Sequence, residues 1–180
     1  MIDSLYWNWV YIPASLRNMD EEERHNRALR KVRIIADYQF GRGSGRALFP
    51  DDVNFTFSST GRVRQIKLFG EHVATIRARD GLLTLGLRGG EMLRLFHKPM
   101  KHRVVLSEEA VSFVKDGRSA FAKFVVACHR KIRGGDEVLV VDESDELLAV
   151  GEALLCAREM MEATRGVAVK VRHGGGLHED

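Results

Sequence analysis

Three turn signals, Thr60-Gly61, Gly70-Glu71 and Asp80-Gly81, stand about ten residues apart. Apolar and polar residues alternate between them. VNFTFSS sets Val53, Phe55 and Phe57 on one face and Asn54 and Thr56 on the other. HVATIRAR sets Ala74, Ile76 and Ala78 inward and Thr75, Arg77 and Arg79 outward. LLTLGLR sets Leu83, Leu85 and Leu87 inward. A side-chain period of two, cut by closely spaced turns, specifies an antiparallel meander with one wet face. That wet face carries arginines. RVRQIKLF is less regular, since Arg64 shares a face with Ile66 and Leu68.

The flanks differ in pattern. Residues 20–40 predict a helix: Asp20 can cap, Glu21, Glu22 and Glu23 suit the dipole of the first turn, and Ala28, Leu29, Val32, Ile35 and Ala36 recur at helical spacing. Gly41 ends it, and the chain is expected to turn there into the first strand. Gly89-Gly90 to Pro99 reads as the boundary between two units. Beyond it, RVVLS predicts a strand and EEAVSFVKDG a short helix ending at Gly117. FAKFVVA, DEVLVVD and ELLAVGEALL predict further strands, and CAREMMEAT a helical turn. GVAVKVR predicts a last strand, with Val167, Val169 and Val171 inward and Lys170 and Arg172 outward. Many short strands with few helices suggest a small closed or half-open barrel. The fold class expected is α+β: a helix and basic meander in residues 1–100, a β pseudo-barrel in 101–174, and a frayed tail in 175–180.

Chemistry is harder to find. Gly41, Gly43 and Gly45 in GRGSGR invite comparison with phosphate loops. No Gly-Lys-Ser/Thr follows, and a helix rather than a strand precedes, so neither nucleotide fingerprint applies. Gly43-Ser44-Gly45 is too short for a nucleophile elbow. The seven histidines show no ligand spacing, and His72 and His129 read as strand-edge residues. Asp51-Asp52 and Glu108-Glu109 are adjacent pairs that point apart on a strand. Met160-Met161 reads as core. No catalytic set, metal site or cofactor is expected, which favours a binding module over an enzyme, although catalytic groups can assemble from distant positions.

Charge divides the chain sharply. Residues 1–23 carry a net −4, residues 24–103 a net +11 and residues 104–180 a net −4. A basic middle of this kind is the footprint of a polyanion surface. Two cysteines, Cys128 and Cys156, fit a reducing cytoplasm and leave a single disulfide open. Asp3 stands where a secretion signal wants a cation, and no apolar run is long enough to span a membrane. The expected location is cytoplasmic.

GDEVLVVDESDELLAVGEALLCAREMMEATRGVAVKVRHG, residues 135–174, resembles a PUA domain, a small RNA-binding pseudo-barrel. Residues 29–85 resemble the patch-forming domain that precedes the PUA domain in archaeal tRNA-guanine transglycosylases and related archaeosine synthases. The catalytic barrel of those enzymes, with its zinc site, has no counterpart among these residues. The resemblance implies tRNA or another structured RNA as partner, read at the acceptor end, and a tRNA-modifying catalytic subunit as a further partner. It implies an RNA groove at Lys115, Gly117, Arg118, Lys123, Lys170 and Arg172. It also implies backbone contacts from a basic patch at Arg42, Arg46, Arg62, Arg64, Arg77 and Arg79. Two other readings stay open. The chain could complete an active site for guanine exchange, or it could be an assembly module that docks a partner through Trp7, Trp9 and Tyr11.

Overall fold

A computed structural model describes residues 20–176. Trp7, Trp9 and Tyr11, and residues 177–180 of the tail, lie outside the described residues. The architecture is α+β. It comprises a helix on a four-stranded antiparallel sheet, followed by a six-stranded sheet that curls into a pseudo-barrel.

Helix α1, Glu21–Phe40, begins as its sequence dictates: the Asp20 carboxylate accepts the Glu23 N–H at 2.6 Å. Its buried stripe is Ala28, Leu29, Val32, Ala36 and Phe40. Gly41, at φ +104°, ends it by donating its N–H to the Asp37 carbonyl. The chain does not then turn directly into a strand, as expected. A five-residue helix α2, Ser44–Leu48, intervenes. Gly45 lies so close to the Arg33 backbone that a side chain there would collide, and its N–H reaches the Asp37 carboxylate at 2.7 Å.

Strands β1 (Asn54–Phe57), β2 (Val63–Leu68), β3 (Glu71–Ile76) and β4 (Leu83–Leu85) pair in chain order, all antiparallel. Two expectations fail at the end of the meander. β3 stops at Ile76, so Ala78 is exposed, and Arg77 folds inward with its side chain 12% exposed. Leu87 opens helix α3, Leu87–Phe96, and does not continue a strand. Gly89 and Gly90, expected in a linker, lie inside that helix. Adjacent glycines argue against a helix by propensity. Tertiary contact overrides it: Gly89 backs onto the Val73 carbonyl, and Gly90 faces Val150 and Leu147 across the junction, where a Cβ would collide.

The second sheet runs β6-β10-β9-β8-β5-β7. Its members are β5 (Arg103–Leu106), β6 (Ala120–Phe121), β7 (Val125–Cys128), β8 (Glu137–Val141), β9 (Leu147–Ala153) and β10 (Val167–Gly174). β5 and β8 run parallel, and the other pairs are antiparallel. FAKFVVA, expected as one strand, is two. A 3₁₀ turn at Ala122–Phe124 separates β6 from β7 and carries the chain from one edge of the sheet to the other. Helices α4 (Val111–Lys115) and α5 (Ala157–Glu162) flank it. Met160 is core, whereas Met161 is exposed. Cys128 and Cys156 are free thiols.

The two halves share a core. Leu139, Val141 and Val150 of the barrel pack in one cluster with Phe40, Leu85 and Leu93. The segment between the halves is wrapped around Arg103, a fully buried arginine. Its guanidinium donates to both Asp145 oxygens and to the carbonyls of Arg94, Lys98 and Lys101, which uses all five of its donors. Replacing Arg103 by methionine removes the donors to three carbonyls and leaves Asp145, which is one-third exposed, with Arg94 as its remaining cation. Urea unfolding of Arg103→Met is expected to show a stability loss of about 1–3 kcal/mol, the cost of leaving buried acceptors unmet. A loss below about 1 kcal/mol, the range of exposed pairs, would show that the segment is held by other contacts.

Candidate nucleic-acid interface

The chain between β5 and β7 builds an aromatic pocket. After the short α4, Gly117 at φ +84° reverses the chain, and Arg118 N–H returns to the Phe113 carbonyl at 3.0 Å. α4 buries Val114 and leaves Phe113 half exposed, at 50%. β6 then pairs with β10 and alternates: Ala120 faces the core and Phe121 faces out, at 46%. The 3₁₀ turn next presents Lys123 and half-buries Phe124. The outcome is a cavity of about 320 Å³ walled by Phe113, Phe121 and Phe124. Arg118 lies 5.6 Å from the Phe113 ring centre, and Lys123 Nζ 4.5 Å from that of Phe124. Ring faces and cations at one concave site are what an unpaired nucleotide requires: stacking for the base and positive charge for its phosphate. The sequence points to Lys123 as a contact but singles out none of these rings: Phe113 lies in EEAVSFVKDG, and Phe121 and Phe124 in FAKFVVA, expected as one regular strand.

The structure divides the predicted groove residues. Arg118 and Lys123 line this pocket, and Gly117 sits in the turn that leads into it. Lys115 is turned away into an ion pair with Glu146 at 2.7 Å. Lys170 is exposed on β10, in register with Glu152. Arg172 is engaged: its Nη1 donates to both oxygens of Glu137 at 2.8 and 2.9 Å. Glu137 is only 3% exposed and also accepts the Leu85 N–H at 2.8 Å. Burial pushes its carboxyl up to about 7, against the pull of Arg172 and the Leu85 N–H.

The predicted patch is dispersed as well. Arg77 and Arg79 both reach Asp80, at 3.1 and 3.3 Å, and Arg79 reaches Glu152 at 3.2 Å. Arg42 lies in the turn after α1, Arg46 on α2, Arg62 in the β1–β2 turn and Arg64 on β2, all exposed. None of these four forms a salt bridge among the described residues. Arg46 shares a cleft of about 400 Å³ with Arg30 and Arg33, and Arg33 is bound to Asp51 at 3.0 Å. No group of three metal-ligating side chains occurs among the described residues, and none of their helices is long and apolar enough to cross a membrane.

Comparison with known proteins matches residues 30–99 to the patch-forming domain C2 of tRNA-guanine transglycosylase and residues 102–175 to the PUA domain. The tRNA-guanine(15) transglycosylase of Methanothermobacter thermautotrophicus is 44% identical over 176 residues, which is 97% of this chain and 27% of that protein. The enzyme of the same name from Pyrococcus abyssi is 47% identical over 154 residues, 86% of this chain and 26% of that protein. The chain thus spans about a quarter of the length of these curated relatives, in their C-terminal part. Among solved structures, a hypothetical protein from Pyrococcus horikoshii OT3 superposes with a TM-score of 0.66 at 24% identity, covering 84% of this chain and 92% of that one. A conserved PUA domain protein from Thermoplasma acidophilum gives 0.60 at 20%, covering 86% and 92%. At such identities these two speak to the fold.

The Glu137 site makes a pH prediction. A folded carboxyl held near 7, above the ordinary glutamate value, adds stability that is full in acid and lost as pH rises through about 7. Urea titrations of the protein and of Glu137→Gln at pH 5, 6, 7 and 8 should show the wild type losing ground to the variant across this window. A difference that is flat with pH would contradict it.

Proposed function

Because the chain joins a patch-forming domain C2 of the tRNA-guanine transglycosylase kind to a PUA domain, we propose that it binds tRNA and presents it for modification. In this reading the protein is the RNA-holding part of an archaeosine-type system, and the base-exchange chemistry is carried by a catalytic partner or segment. The unpaired 3′ end of the acceptor stem enters the pocket of Phe113, Phe121 and Phe124. Arg118 and Lys123 take its phosphates, and the exposed arginines Arg42, Arg46, Arg62 and Arg64 touch the duplex backbone. Backbone contacts of this sort position the RNA, and the stacked end selects it.

The observation that carries this reading is the aromatic pocket with its two cations. Three ring faces around an open cavity do nothing for the fold that burial would not do better, since burying each ring is worth roughly 1.5–3 kcal/mol. The identity of the relatives supports tRNA as the nucleic acid.

Filter binding to intact tRNA and to tRNA trimmed of its unpaired 3′ nucleotides tests the proposal. Trimming should weaken binding by the stacking energy of about 1–3 kcal/mol per base. Phe121→Ala should lose a similar amount on intact tRNA and become indifferent to trimming. A protein that binds neither RNA, or that binds both equally, refutes the reading.

A further inference from the structure

A second cleft opens where the two halves meet. It has a volume of about 500 Å³ and is lined by the end of α1, by the segment before β5 and by the turn between β7 and β8. Three cations reach it: Lys101, Lys131 and Arg133. None is salt-bridged among the described residues. One acid, Asp136, shares the lining and accepts the backbone N–H of Arg133 at 2.8 Å. Three cations against one carboxylate leave the cleft net positive, and partial enclosure between walls of protein strengthens its field.

Two imidazoles complete the wall. His102 donates through Nε2 to the Phe40 carbonyl at 3.0 Å, and its ring stands 5.8 Å from that of His129. Burial first, and the neighbouring lysines next, hold both below the ordinary histidine range, so they stand as neutral donors and acceptors beside the cations. Tyr38, at the end of α1, is 83% exposed on the rim and offers a bare ring face. None of these residues belongs to the aromatic pocket, and the net charge of residues 104–180 gives no hint of Lys131 and Arg133.

We propose that this cleft holds a single-stranded stretch of RNA, its phosphates on Lys101, Lys131 and Arg133 and one unpaired base stacked on Tyr38. The proposal rests on the RNA-binding reading for the class of ligand, but it does not rest on the phenylalanine pocket. Phosphodiesters meet the excess of cations, and the neighbouring ring face accepts a base of any sequence. The protein would then grip an RNA at two separate single-stranded places.

Histidine ring signals in NMR spectra of the full chain test this directly, with tetrauridylate as the probe. His102 and His129 should shift on titration, and His25, on α1 beside Phe55, should not. Lys131→Ala/Arg133→Ala, a change at two exposed positions whose melting temperature should match wild type, should abolish the shifts, and Tyr38→Ala should weaken them several-fold. No shift at His102 and His129 overturns the cleft. An equal shift with inorganic phosphate or with pentaglutamate at matched charge also overturns it, since the site would then take any small anion or an acidic peptide. With tRNA, the double variant should bind about tenfold more weakly, with a salt slope reduced by about 1.4, the value for two cations on a single strand. Unchanged tRNA affinity and slope in the double variant count against the cleft. A wild type that shifts with tetrauridylate but binds no tRNA supports the cleft while ending the tRNA reading.

Discussion

Glu137 is a carboxylate in a place where carboxylates seldom sit, and the organisation of the molecule follows from what it holds there. β4 is the last strand of the meander, and a last strand has unpaired backbone donors. No fifth strand takes the Leu85 N–H; the Glu137 side chain, from the first residue of β8, accepts it. The same carboxylate receives Arg172 from β10. One buried group thus joins the edge of one sheet to two strands of the other. The apolar cluster that runs from Phe40 and Leu85 to Leu139 and Val150 surrounds the same junction. The halves are consequently one mechanical unit, and the aromatic pocket and the seam cleft keep a set geometry. The two RNA contact points proposed above would use that rigidity, since a loose linkage would add an ordering cost on association.

The charge of the sequence and the charge of the surface are different maps. The net +11 of the basic middle already counts its own acids, among them Asp51, Asp80, Glu71 and Glu91, which pair with Arg33, Arg77, Arg88 and Arg94. Folding lowers the excess only through carboxylates of the acidic C-terminal segment: Asp145 on Arg103, and Glu152 on Arg77 and Arg79. Glu152 alone meets Arg77, Arg79 and Arg172. That transfer works in both directions. With its acids turned toward arginines at the junction, the C-terminal half leaves Arg118, Lys123, Lys131 and Arg133 available. Counting residues finds the region of excess charge, but only tertiary pairing decides which cations face solvent.

The same distinction governs what was legible in the sequence. Features set by neighbours along the chain were readable: the Asp20 cap, the stripe of α1, the left-handed glycines of the meander turns, and the outward Lys170 of the last strand. Features set by approach from afar were not. Gly89 and Gly90 look like a linker because their reason for being glycine is Val73 and Val150, distant in sequence. Arg77 looks like an outward strand residue because Asp80 and Glu152 draw it in only after β3 has ended. The family resemblance treated Lys115, Arg118, Lys123 and Arg172 alike, whereas folding pairs Lys115 with Glu146 and Arg172 with Glu137 and leaves Arg118 and Lys123 without a salt bridge among the described residues.

The break between β6 and β7 links the fold to the aromatic pocket. An uninterrupted strand through FAKFVVA would keep Phe121 on one face and leave the sheet open. The 3₁₀ turn at Ala122–Phe124 instead redirects the chain to the opposite edge, so that β6 pairs with β10 while β7 pairs with β5. That redirection moves the sheet toward closure, which reduces exposed edges. It also sets Phe121 and Phe124 around a hollow floored by α4, with Lys123 between them. The rings are therefore exposed as a consequence of how the barrel closes. A substitution that restored a regular strand here would improve local β geometry and, by the same change, remove both the closure and the pocket.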